Sequence, residues 1–241
     1  ASNLALNLWY LSEFERARAL DEDTLTRRRR VLGEDAPDTL TSASQLANDL
    51  LGLGNYRDAR ELQEQTLSRR RRILGDDHPD TLNTAGLLAG VLWSLGDYEQ
   101  GRVLQSDTFT RSRRVLGEDH AVTLAAALFL GMVLLSLGEY RQARQLESDT
   151  FGRSRRVLGE DHTVTLSSAS LLGLALWSLG DYQRALELQS DAFARCRRVL
   201  GEDHFITLRS AGVLGQTLGS LGEYQRALEL QSDAFARCRR V

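Results

Sequence analysis

In residues 80–115, DTLNTAGLLAGVLWSLGDYEQGRVLQSDTFTRSRRV, apolar positions fall at Leu82, Ala85, Leu88, Ala89, Leu92 and Leu95, at steps of three and four. Such a stripe is the mark of an amphipathic helix with one buried face. Gly96 stops it, Asp97 stands where an N-cap is expected, and a second stripe runs through Tyr98, Gly101, Leu104, Thr108, Phe109 and Val115. The pattern predicts two helices joined by a tight turn and leaves no place for a strand.

The same pattern recurs along the whole chain. Gly33, Gly75, Gly117, Gly159 and Gly201 differ by 42 at each step, as do Phe14, Tyr56, Tyr98, Tyr140, Tyr182 and Tyr224. A fixed period of this length marks stacked supersecondary units, so the 241 residues count repeats rather than globular domains. About six units are expected, near 1–32, 33–74, 75–116, 117–158, 159–200 and 201–241, forming a single array. The chain opens without Met and inside one unit, and closes inside another. It therefore reads as a fragment cut from a longer protein or as an engineered array.

Small residues repeat too. Ala5, Ala47, Ala89, Gly131, Gly173 and Gly215 sit in the first helices, and Ala17, Ala59, Gly101, Ala143, Ala185 and Ala227 in the second. Without bulk at those points, paired helix axes can approach closely. This small, Leu-Gly, aromatic, small arrangement resembles the tetratricopeptide repeat (TPR), usually of about 34 residues. The longer period, with LGDDHPDTL between units at 74–82, is similar to the variety found in kinesin light chains. Second helices such as 59–75 resemble repeats of actinobacterial proteins that join such arrays to an NTPase module. The resemblance implies an all-α fold, a right-handed α-α superhelix of helix-turn-helix units, in a bacterial cytoplasmic protein.

The stretch VLGEDH at 115–120, 157–162 and 199–204 couples an acid pair to a histidine and invites a reading as chemistry. Its place between units argues for structure instead. Val and Leu finish one helix, Gly supplies a left-handed residue to end it, and Asp is placed to cap the next. His78, His120, His162 and His204 are each one unit apart, and helices about 10 Å apart cannot share one ion through bonds of about 2 Å. No metal or other cofactor is expected.

Charge adds little to the picture. The net charge of −3 disfavours nucleic acid as a partner. All 30 basic residues are Arg, and clusters such as Arg27–Arg30, Arg69–Arg72 and Arg111/Arg113/Arg114 look at first like a nucleic-acid stripe. Each cluster, however, closes a helix, where the dipole favours cations, and acid pairs such as Glu34-Asp35 and Glu118-Asp119 follow it. A self-neutralising ladder along one edge is expected. No apolar run is long enough to span a membrane. Cys196 and Cys238, in the same place of consecutive units, are expected as free thiols. The chain carries no phosphate loop, HExxH, CxxC or GxSxG, so no enzymatic activity is expected.

Function should lie where the units differ. The resemblance implies that first helices line a concave groove, at positions that in one unit are Asn83, Gly86, Leu87, Gly90, Trp93 and Ser94. The partner-binding candidates are then Gln45, Asn48, Leu87, Gly90, Trp93, Leu128, Phe129, Met132, Leu135, Leu171, Leu174, Trp177 and Val213. Their middle is apolar, and Ser94, Ser136, Ser178 and Ser220 form its rim. The Asn-Asn pair by which kinesin light chains grip a peptide backbone survives in part only at Ser2-Asn3-Leu4-Ala5, and Arg209 is the one base among these positions, which leaves no carboxylate clamp.

Contiguous apolar surface usually marks a contact site. The same side chains could instead pack against neighbouring first helices. Two functions follow. One is a non-catalytic interaction module, a sensor or scaffold segment that binds apolar peptide or protein segments. The other is self-association: the last segment, 220–241, repeats 178–199 with Glu223 in place of Asp181 and carries no polar cap, so units could stack head to tail.

Overall fold

The computed structural model describes residues 14–238. Among them are eleven helices and no strand: α1 (Phe14–Leu32), α2 (Pro37–Gly52), α3 (Tyr56–Leu74), α4 (Pro79–Leu95), α5 (Tyr98–Leu116), α6 (Ala121–Ser136), α7 (Tyr140–Val157), α8 (Thr163–Ser178), α9 (Tyr182–Leu200), α10 (Phe205–Ser220) and α11 (Tyr224–Cys238). The first helix expected around Ala5, and the Ser2–Ala5 remnant, lie outside the described residues. Two compact blocks divide the chain, Ala1–Val115 and Leu116–Val241.

Within the second block, α6, α8 and α10 are first helices, each packed on its successor, and α7, α9 and α11 are second helices, each held between first helices or against one. The small residues set the approach, as expected. Ala47, Ala59, Ala143 and Ala185 are wholly buried, and a Cβ added at Gly101 would lie 3.5 Å from the Ala89 carbonyl oxygen. Layers of leucine fill the space between helices, Leu25 with Leu46 and Leu67 with Leu88 and Leu92 in the first block, Leu172 with Leu176 and Leu214 with Leu218 in the second. Each such side chain contributes about 1.5–3 kcal/mol on burial.

The turn inside a unit forms as its sequence dictates. Gly96 adopts φ 82° and ψ 4°, the left-handed region that costs glycine little. Its amide bonds the Trp93 carbonyl at 3.0 Å, and that of Asp97 reaches Leu92 at 2.9 Å.

The link between units differs from expectation in two ways. Gly75 has φ 86° and ψ 164°, an extended, mirror-image conformation open essentially to glycine alone, rather than the left-handed helical one. The chain must run straight on to the next helix there, not curl back. The N-cap of that helix is the histidine and not the aspartate. In each of His78, His120, His162 and His204 the Nδ1 atom accepts the amide of the residue two places on at 3.2 Å. Ala36, in the histidine's place before α2, offers no side-chain cap.

The aspartate is committed elsewhere. Asp77 accepts from Arg111 at 3.2 Å and Arg114 at 2.6 Å, Asp119 from Arg153 at 3.2 Å and Arg156 at 2.8 Å, and Asp161 from Arg195 and Arg198. The ladder thus joins each link to the second helix of the following unit. Asp97, the expected cap of α5, likewise pairs with Arg60 at 2.9 Å. Both cysteines are free, Cys196 buried and Cys238 exposed.

Candidate partner-binding face

A helix of sixteen residues with only Thr123, Gly131 and Ser136 to break its run of apolar side chains, α6 (AVTLAAALFLGMVLLS) has no polar face to give to water. Such a helix belongs where every side is covered. One side is: Leu124, Ala127, Leu130, Val133 and Leu134 are buried. The opposite side, Leu128, Phe129, Met132 and Leu135, is only half-buried. α8 repeats the arrangement with Leu174 and Trp177 half-buried, whereas Leu171 is 6% exposed and belongs to the interior. Val213 on α10 is half-buried.

In the first block the corresponding places are Gln45 and Asn48 on α2 and Leu87, Gly90 and Trp93 on α4. All are half-buried except Trp93, which is exposed with its ring 6.5 Å from that of Tyr98. Apolar character is therefore strongest on α6 and α8.

The serines at the ends of these helices bond back to their own backbone, Ser94 to Gly90 at 3.2 Å, Ser136 to Met132 at 3.1 Å and Ser220 to Gln216 at 3.1 Å. Ser220 also takes the indole N–H of Trp177 at 2.8 Å. That bond fixes the ring, whose other side packs against Leu172 and Leu176.

Two ionisable groups underlie this face. Arg209 shares its α10 stripe with Val213 and Gln216, is half-buried, and has no hydrogen bond or ion pair among the described residues; its Nε is buried without a partner. Burial lowers its pKa, opposed by the nearby Cys196 and Glu147. Glu147 on α7 is fully buried with neither carboxylate oxygen bonded, and burial pushes its pKa well up. A Cβ on Gly131 would lie 1.8 Å from its Oε1, so the glycine of α6 leaves the room this side chain fills. Aligning the units exposes the exchange, since Gln63, Gln105, Gln189 and Gln231 hold the same place. Periodicity marks such a position as interior and carries no sign of its charge.

No group of His, Cys, Asp or Glu among the described residues could hold a metal ion, and no described helix is long and apolar enough to cross a membrane. The histidines act as helix caps.

A tetratricopeptide-repeat family profile matches residues 80–152 and 164–240, and a second covers 1–38 and 39–80. The chain belongs to the tetratricopeptide repeat family. No curated protein matches it. Among solved structures, a single-residue variant of a Podosopora anserina kinesin light chain protein with nearly identical TPR-like repeats has a TM-score of 0.67 at 25% identity, over 82% of this chain and 93% of that one. BtubC (BKLC) from P. vanneervenii gives 0.72 at 21% identity, over 94% and 91%. A Rap protein complexed with competence and sporulation factor gives 0.70 at 12%, over 98% and 73%, a likeness of fold. The tetratricopeptide array is thus of the kinesin-light-chain-like kind, and its fold is that of protein-interaction modules.

Proposed function

We propose that this TPR array is a non-catalytic recognition segment of a larger bacterial cytoplasmic regulator, and that it holds an apolar segment of a partner, or of its parent chain, on the first-helix face of α6 and α8. One observation carries the reading: α6 is apolar around its circumference, yet Leu128, Phe129, Met132 and Leu135 remain half-buried. Covering them would remove further apolar surface from water at about 25 cal/mol per Å². A helical or extended peptide with apolar anchors suits such a face. The Rap structure, a chain of similar fold complexed with competence and sporulation factor, supports a role in recognition.

Phe129→Glu tests it by fluorescence anisotropy against a panel of apolar and amphipathic peptides. The expected result is a loss of affinity of about tenfold or more, typical of a hot-spot aromatic, with helicity by circular dichroism unchanged. Lost helicity would place Phe129 in the core and remove the basis of the proposal.

A second reading, self-association, rests on α11. Tyr224, Leu228 and Phe235 there are 73%, 61% and 62% exposed. Their counterparts one unit earlier, Leu186 and Phe193, pack against Leu214, Leu218 and Ala227.

A further inference from the structure

Successive first helices touch, α6 on α8 and α8 on α10, but successive second helices do not pack in the same way. α7 and α9 diverge over α8 and leave a crevice of about 420 Å³. Its floor is one face of α8, Leu166, Ala169, Leu172 and Leu176, and its apolar walls are Phe151 from α7 with Leu188 and Ala192 from α9. This side lies away from the face proposed above for a partner.

The crevice is not a general property of the repeat. The same place between α1 and α3, lined by Leu25, Leu40, Leu62 and Thr66, holds about 10 Å³. Between α9 and α11, where Ala234 stands in the wall, it holds about 130 Å³. Thr66 and Ala192 occupy the same position, three periods apart, so the alanine takes two heavy atoms from the wall, while Phe151 in place of Leu25 adds three; composition alone does not set the volume. In the closed version the Thr66 hydroxyl donates to the Leu62 carbonyl at 2.7 Å, which holds its methyl group in place against the crevice.

We propose that this crevice is a binding site for a small uncharged apolar molecule, of the size of two fused rings with a substituent. The volume falls within the range of about 300–1,000 Å³ usual for small-molecule sites. Charge decides the class of guest. The rim carries Arg155, Arg184 and Arg195 with Glu160, Glu187 and Asp191, which balance. Each arginine is already answered, Arg155 by Glu160 at 2.7 Å, Arg195 by Glu160 at 2.7 Å and Asp191 at 2.8 Å, and Arg184 by Asp181 at 3.3 Å. An anion would find no free cation there, and the floor offers only hydrocarbon.

The test is a fluorescence titration of the whole chain with phenylnaphthylamine, an uncharged dye, beside its anionic analogue anilinonaphthalene sulfonate. Saturable binding of one uncharged dye per chain is expected, with the sulfonate weaker. Ala192→Thr restores the residue that α3 tolerates, so the helix should form unchanged. It should weaken the dye about tenfold, the usual worth of a methyl-sized change in an apolar pocket. Phe129→Glu, on the other side, should leave dye binding alone whether or not it affects peptides, which separates this proposal from the preceding one. Absence of saturation, equal affinity for the sulfonate, indifference to Ala192→Thr, or loss of the dye in Phe129→Glu would each overturn it.

Discussion

Glu147 is a carboxyl group without a hydrogen bond, fully buried at a position where four units carry glutamine and the first carries Asp21. Its neutral form is the one burial favours. Since the pKa is raised in the folded chain, the unfolded chain binds fewer protons above its own carboxylate pKa, and stability falls as pH rises. Asp49 behaves alike: burial, then the charge of Asp21, pushes its pKa up to about 7, and the Asp21 pKa is raised too. Wild-type stability should therefore decline from about pH 4 to about pH 7, and Asp49→Asn should flatten that decline in urea titrations at a series of pH values. Glu147→Gln should stabilise the protein at neutral pH by about 1–3 kcal/mol, the worth of a buried unsatisfied polar group. A neutral-pH midpoint that is unchanged or lower in Glu147→Gln would mean that the carboxyl group finds a partner in solution.

Among the elements, the first helices were legible from periodicity because their buried faces recur at three and four residues, and so were the glycine turns inside units, though not the extended glycine of the links. Their caps were not. Asp and His both lie near the start of each first helix, and aspartate is the commoner cap by chemistry alone. The choice is made by a distant partner, since Arg111 and Arg114 sit 34 and 37 residues beyond Asp77 and draw its carboxylate outward. The histidine is left to accept the orphan amide. His120→Ala should cost about 0.5–2 kcal/mol in thermal or denaturant unfolding, while His120→Asn should restore most of it. Acid should act in the same direction at His204, whose pKa burial lowers. The cap it supplies is fully present above the unfolded histidine pKa and is lost as pH falls through the lower, folded value, because a protonated Nδ1 cannot accept.

For the whole molecule, the 42-residue step determines the architecture, because a unit that repeats unchanged must bury the same face against its neighbour each time. What the step cannot reveal is how much of each face stays open, which depends on whether a neighbour is present. Leu186 and Leu228, identical in sequence context, differ for that reason alone: the former packs against α10 and the latter is 61% exposed. A surface shaped to receive a helix of this same repeat is a ready docking place for another copy. Light scattering coupled to size exclusion should then show mass rising with protein concentration, and Leu228→Arg with Phe235→Arg should hold the chain monomeric at every concentration. The same pair of changes should leave peptide binding at Phe129 intact, since that residue lies on a first helix and not on α11. If mass rises in the double variant as well, association runs instead through the apolar face of α6 and α8, and Phe129→Glu becomes the variant that abolishes it.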